Sequence, residues 1–189
     1  MVTTERLYLG LIALLAVERG VELVISRRNA ARAKARGAVE TGAGHFRAMA
    51  ILHTLFLVAC PLEVVLLRRQ PPGAAAWVFL AGALVAQGIR YWVIATLKDR
   101  WNVRILVVPG DAPVTAGPYR FLKHPNYTAV ILEMLSIPMI HGAFLTALLF
   151  SAANAWILRI RIRAEEAALG ASWATALADR PRLVPGGGR

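Results

Sequence analysis

The sequence predicts an all-α integral membrane protein of about five transmembrane helices, the last two folded as a hairpin. Three observations lead there. The 189 residues are 57% hydrophobic and 17% charged, with a mean hydropathy of +0.53, more apolar surface than a soluble domain of this size can bury. Apolar runs of about 20 residues, the length that crosses a hydrocarbon core, recur along the chain. The cations gather just beyond the ends of those runs, as they do in membrane proteins. The abundance of Leu, Val, Ala and Ile excludes disorder, and the lone Cys60, inside an apolar run, excludes a disulfide framework and reads as an inert packing residue.

The spans follow in order at residues 7–26, 48–67 and 74–97. The stretch 127–160 is too long for one span and is broken by Pro138 and by His141-Gly142, so it reads as two short helices, about 126–140 and 142–162. A cytoplasmic helix and tail, 163–189, completes a single domain, and its Pro185-Gly186-Gly187-Gly188 end reads as frayed. Glu18, Arg19 and Glu22 inside the first run argue against a cleavable signal peptide.

Five spans put three cation clusters on one side. Arg27, Arg28, Arg32, Lys34, Arg36 and Arg47 occupy the first loop, Lys98, Arg100, Arg104, Arg120 and Lys123 the third, and Arg159, Arg161 and Arg163 precede the tail, while the opposite side keeps Arg6, Arg68 and Arg69. The positive-inside rule makes the first side cytoplasmic and the N-terminus external. The net charge of +11 is thereby a membrane pattern, not a nucleic-acid footprint. The Ala/Arg/Gly-rich composition suggests a bacterial inner membrane.

Ionisable groups at membrane depth need partners or a cavity. Glu18 and Glu22 lie one turn apart, placed either to enter a site together or to pair with Arg19 and Arg90. His53 and Glu63 read as satisfied interior hydrogen bonds. Glu133 lies within two turns of the densest motif and is a candidate for lining a substrate cavity.

That motif is Gly117-Pro118-Tyr119-Arg120-Phe121-Leu122-Lys123-His124-Pro125-Asn126-Tyr127, at the end of a polar loop spanning 98–123. Pro125 suits the first turn of a helix, so His124 and Tyr127 flank an N-terminus able to attract a carboxylate or phosphate; the competing reading is an interfacial anchor. In the second cluster Asn154, Leu158, Arg161 and Glu165 share one helix face, where a solvated end with Arg–Glu pairs is the plainer alternative.

The two clusters together, Gly117 to Tyr127 and then Arg161-Ile162-Arg163-Ala164-Glu165-Glu166-Ala167-Ala168-Leu169, resemble the isoprenylcysteine carboxyl methyltransferase family, whose motif layout is shared with phospholipid methyltransferases. The resemblance covers residues 90–185, including the Pro181-Arg182-Leu183-Val184-Pro185 tail. It implies a membrane O-methyltransferase using S-adenosylmethionine and no metal. The cofactor would sit in a pocket on the cytoplasmic side, enclosed by the third loop, the fourth helix and the C-terminal helix. A nucleotide-binding sheet is not expected, because Gly37, Gly42 and Gly44 lie in a basic loop and not after an apolar strand.

Position by position, the resemblance carries Gly117, Tyr119, His124, Pro125, Tyr127, Glu165 and Glu166 over as cofactor residues and Arg161 as the residue near the acceptor, with Glu133 and Asn154 as further acceptor candidates. The chemistry is coherent. A carboxylate at 165 or 166 suits the cofactor's ammonium, donors at 119 and 124 suit its carboxylate, and Tyr127 offers an electron-rich neighbour to the sulfonium. The N-terminal half lacks the family signature, and the chain after Glu166 is short, with Trp173 where a longer aromatic segment is usual. These departures point away from a prenylated protein and towards a small amphipathic lipid. Compact bacterial members of the family the chain resembles include enzymes that methylate long-chain alkylpyrones or alkylresorcinols. The expected partners are a lipophilic acceptor arriving from the bilayer and membrane lipids. A lipid-amine N-methyltransferase, and a non-enzymatic transport or binding protein using Glu18, Glu22, Glu63 and Arg90 as a path, are the alternatives.

Overall fold

A computed structural model describes residues 2–184. Within them the chain forms α1 (Val2–Ala35), β1 (Val39–Thr41), α2 (Ala43–Leu66), α3 (Ala75–Leu97), β2 (Ile105–Val107), α4 (Pro125–Met139) and α5 (Phe144–Ala176). Two 3-10 turns, Lys98–Arg100 and Gly117–Arg120, lie between α3 and α4. The predicted Pro185–Gly188 fraying lies outside the described residues.

The bundle is apolar outside and buries a set of polar groups beside its apolar core. Leu14, Val17, Val58, Val78, Leu84, Leu148 and Trp156 point outward, while Glu22, Glu63, Arg90, Glu133, Asn154 and Arg161 are buried. Lipid, not water, is the solvent that makes this arrangement stable. The helices Ala43–Leu66, Ala75–Arg100 and Phe144–Ala176 are long and apolar enough to cross a membrane. α1 is longer still but carries Glu18, Arg19 and Glu22, and α4, with 15 residues, spans roughly 22 Å at 1.5 Å per residue.

Helix α3 packs on α4, α4 on α5, α5 on α2 and α2 on α1. Hydrogen bonds from Arg19 and Tyr91 across to Gln87 and Glu18 join α1 to α3 and close the ring. The closest approach is between α3 and α4, where a Cβ on Gly82 would fall 2.6 Å from the Ser136 hydroxyl, so the missing side chain lets the backbones meet. The α4–α5 hairpin turns where Pro138 and Gly142 predicted it. Gly142 has φ +73°, and a Cβ there would stand 2.5 Å from the Gln70 carbonyl.

Two sequence expectations need correction. Residues 27–35, read as part of a basic loop, continue α1, because Ala, Arg and Lys are strong helix formers and the last-turn cations Arg32 and Lys34 favour the helix dipole. The helix ends at Gly37, φ +81°, where Gly37 N–H donates to Lys34 and Ala38 N–H to Ala33, the paired bonds of a Schellman cap. The final helix is not short, since α5 runs through 162 to Ala176 and bends only at Gly170. The fold is mainly helical, as the sequence predicts, with one short ladder added. β1 and β2 pair antiparallel, Val39 opposite Val107 and Thr41 opposite Ile105, and so tie the α1–α2 and α3–α4 connections together at one end of the bundle.

Candidate active site

At that end a cavity of about 350 Å³ opens between α1, α2, α3, α4, α5 and the β2 segment, within the range of small-molecule sites. The α3–α4 connection forms its roof and is anchored, not loose. Asn29 donates to the carbonyls of Trp101 (2.8 Å) and Lys98 (3.1 Å), Ser26 and Asn102 exchange hydrogen bonds at 2.9 Å, and Trp101 is buried.

Tyr119, His124, Asn126, Tyr127, Glu165 and Trp173 converge on one wall. Pro125 starts α4, as its missing N–H favours, and leaves His124 at the cap. Tyr127 donates to Glu165 Oε2 at 2.5 Å, and the His124 ring lies 5.4 Å from that of Tyr127 and 5.3 Å from that of Trp173. Burial, then the Glu165 charge, pushes the Tyr119 hydroxyl well above the ordinary phenol range, so it remains a donor. The start of α4 is not an open anion site. The amides of Lys123 and His124 donate to the Pro181 and Arg182 carbonyls, and those of Tyr127 and Thr128 to the His124 carbonyl.

The adjacent glutamates part company. Glu165 lines the cavity, but Glu166 faces the tail, where Arg182 grips it through two bonds of 2.9 Å and His124 Nε2–H donates to it at 3.1 Å. Burial works to raise the Glu166 carboxyl, but the Arg182 fork and His124 outweigh it and hold it below the usual carboxylate range. Thr128 bonds the Leu183 carbonyl at 2.6 Å, and Leu183 packs on Tyr127, Leu158 and Ile162. Gly117 and Pro125 do not line the cavity. Gly117, φ +57°, packs on α3, where a Cβ would stand 2.2 Å from Thr96 Oγ1.

Arg161 is a buried cation on the α5 side of the cavity. Its Nη2 donates to the Val103 carbonyl at 3.0 Å, while Nε and Nη1 have no partner. The helix face read from sequence is real: Asn154, Leu158 and Arg161 are buried, and Arg159 and Arg163 are exposed. Asn154 lies outside the cavity lining, with Oδ1 unpartnered.

Deeper in the bundle, Arg19 bonds Glu22 (2.6 Å) and Glu18 (3.2 Å) and lies 3.4 Å from Glu133, while Arg90 bonds Glu133 and lies 3.7 Å from Glu22. The pairing of Glu18 and Glu22 with Arg19 and Arg90 was legible in the sequence, whereas Glu133 turns out to belong to this network and not to the cavity wall. Arg19, Glu22 and Arg90 reach the cavity's inner end, as does His53. Glu63 has other work: it accepts the amides of Leu145 and Thr146 at the first turn of α5 and pairs with Arg69 at 2.9 Å, capping that helix from outside.

The donor set fits S-adenosylmethionine. Arg161 Nε and Nη1 and Asn126 Oδ1 are buried polar atoms without partners on cavity-lining residues, and such orphans are expected where a ligand completes the site. Asn126 and Arg182 were missed as contributors, Asn126 because an amide in a motif carries little signal alone, Arg182 because only tertiary docking brings it to Glu166. Among the described residues no three His, Cys, Asp or Glu side chains group to hold a metal ion.

The sequence profile of the isoprenylcysteine carboxyl methyltransferase family matches residues 77–171, half of the chain and all of the wall from α3 to Leu169. The chain is 43% identical over 160 residues to the uncharacterized protein YpbQ of Bacillus subtilis, covering 84% of this chain and 94% of that one. It is 28% identical over 154 residues to an uncharacterized protein of Haemophilus influenzae, covering 80% and 88%.

Proposed function

The chain belongs to the isoprenylcysteine carboxyl methyltransferase family, and from that premise we propose that it methylates an acidic oxygen (carboxylate, enol or phenol) of a lipophilic acceptor, with S-adenosylmethionine as donor. When bound, that cofactor supplies an electrophilic methyl group. Glu165 (steadied by Tyr127), Asn126 Oδ1 and the free Nδ1 of His124 hold its ammonium; the Tyr119 hydroxyl donates to its carboxylate. Arg161 directs its two free N–H groups to the acceptor oxygen and offsets its negative charge. The rate comes from alignment and exclusion of water in a buried cavity.

The observation that carries this reading is the pairing of an unsatisfied, buried guanidinium with an apolar route to lipid. A groove between α1 and α2, lined by Leu9, Ile12, Ala13, Ala16, Val58 and Pro61, shares Arg19, Leu23, Thr54 and Leu57 with the cavity. An acceptor tail can lie in that groove while its head reaches the interior, which favours a long-chain alkylpyrone or alkylresorcinol over a peptide carrying a prenyl group. In this reading all five helices cross a bacterial inner membrane, with the C-terminus and the cavity's polar end cytoplasmic.

Calorimetry of S-adenosylhomocysteine on detergent-purified protein tests the proposal. Micromolar binding by the wild type, lost in His124→Ala and Glu165→Ala, is expected. Folded wild-type protein that binds none would sink the reading, and Arg161→Ala that binds normally and turns over at the full rate would remove Arg161 from its role.

A further inference from the structure

Resting on that function, we propose that His53 is the general base for the acceptor, which makes the acceptor a phenol, still protonated at neutral pH, and not a carboxylate or an acidic enol that is already ionised.

His53 Nδ1 lies 2.9 Å from the Met49 carbonyl one turn earlier on α2. A carbonyl only accepts, so Nδ1 carries the proton and Nε2 carries the free lone pair. His53 lines the cavity, and Nε2 is the nitrogen left to serve it. Its place is where an acceptor head must pass. Thr54 and Leu57, next along the helix, are shared by cavity and lipid groove, and Met49 packs on Tyr127, Leu158 and Ile162, the surroundings of Arg161. A lipid with its tail in the groove therefore brings its head past Nε2 towards Arg161.

Charged groups of both signs face His53 from the neighbouring helices. Arg19 from α1, Arg90 from α3 and Glu133 from α4 act on it directly, and Glu22 from α1, Tyr127 from α4, and Arg161 and Glu165 from α5 stand elsewhere on the wall. The inner cluster holds three carboxylates, Glu18, Glu22 and Glu133, against the guanidiniums of Arg19 and Arg90. A proton arriving at His53 meets the Glu133 carboxylate, itself paired with Arg19 and Arg90, while the oxyanion left behind meets Arg161. In the step itself the acceptor O–H breaks, its electron pair stays on oxygen, and the proton forms an N–H bond at Nε2, from which it later passes to water. A carboxylate acceptor, ionised already, leaves such a base idle.

The test compares wild type with His53→Asn, whose amide N–H still donates to Met49. Binding of S-adenosylhomocysteine by calorimetry is expected to be the same for both. Binding of a long-chain 4-hydroxy-2-pyrone as its enolate, measured in two buffers of different ionisation heat, should take up about one proton in the wild type and none in the variant, since an oxyanion beside Nε2 favours the imidazolium. Turnover of a long-chain 5-alkylresorcinol should fall about 100-fold, with KM changed less than about threefold, and the loss should shrink as pH rises and the phenol ionises unaided. Equal proton uptake and equal pH–rate profiles overturn the assignment while leaving the methyltransferase intact. Loss of cofactor binding in His53→Asn overturns it too, by making His53 structural. A wild type that binds no S-adenosylhomocysteine removes the underlying function and His53's role with it.

Discussion

Glu165 and Glu166 differ by one helical step of about 100°, and that step sends one carboxylate into the cavity and the other to the tail. The consequence is separable at the bench. Glu165→Gln should weaken cofactor binding with little change in stability. Glu166→Gln should leave the cavity wall chemically intact but loosen the tail, costing about 1 kcal/mol, because Arg182 is largely exposed and solvent screens much of a charge-assisted pair; that is about 2–4 °C of melting temperature for a chain of this size. The pH dependence has a definite sign. The folded-state carboxyl of Glu166 is depressed, so its contribution is complete above the unfolded value of about 4.3 and is lost as pH falls through the lower folded value. Melting temperatures of wild type and Glu166→Gln should therefore differ at pH 7 and begin to approach each other below about pH 4, converging once pH passes below the depressed folded value. A difference that persists there would assign the tail's docking to other contacts. Sequence reading gave both glutamates one role, because the residue that separates them, Arg182, lies 16 positions on and meets Glu166 only through the docked tail.

At the scale of elements, the 3-10 turn Gly117–Arg120 carries Tyr119 to the cavity, and what fixes that turn is its seat on the end of α3. Thr96 Oγ1 donates to the Trp92 carbonyl at 2.7 Å, so the hydroxyl is held in place just where a Cβ at 117 would come to 2.2 Å. The positive φ of Gly117 adds a second penalty for any other residue. Gly117→Ala should cost about 1–3 kcal/mol through overpacking and, by displacing Tyr119, lower S-adenosylhomocysteine affinity by about tenfold, a change of some 1.4 kcal/mol. Adding Thr96→Ala should recover part of both losses, since it removes the clash but not the strained φ. A single Gly117→Ala variant with wild-type melting and affinity would show that the turn is not set by this contact. The motif drew attention to Gly117 as a cofactor residue, whereas the structure gives it a packing reason. The apolar runs themselves were legible, because lipid-facing helices advertise their length in composition. The helical continuation of α1 and the three-residue strands were not. Charged helix reads like loop, and so short a ladder has no periodicity to detect.

Across the whole molecule, one end collects everything that the cavity requires. The β1–β2 ladder joins two connections, and the bonds from Lys123 and His124 to Pro181 and Arg182 bring the C-terminal segment to the same place. Three segments separated in sequence can meet at one end only if an odd number of crossings separates the N-terminus from them, which is the same parity that the cation distribution asks for. Two independent physical constraints, backbone pairing and charge placement, thus agree on which connections lie together, and the rule for cations adds which face of the membrane they occupy. Single-cysteine labelling in intact bacterial cells decides that last point. Native Cys60 is fully buried and gives no background. Ala74→Cys, in the exposed α2–α3 connection, should react with a membrane-impermeant maleimide applied from outside; Thr115→Cys, exposed beside the cavity's roof, should react only after permeabilisation. The reverse pattern would place the cofactor wall away from the cytoplasmic supply of S-adenosylmethionine and overturn the orientation. Labelling of both from outside would mean that α3 does not cross the membrane, contrary to the five-span reading.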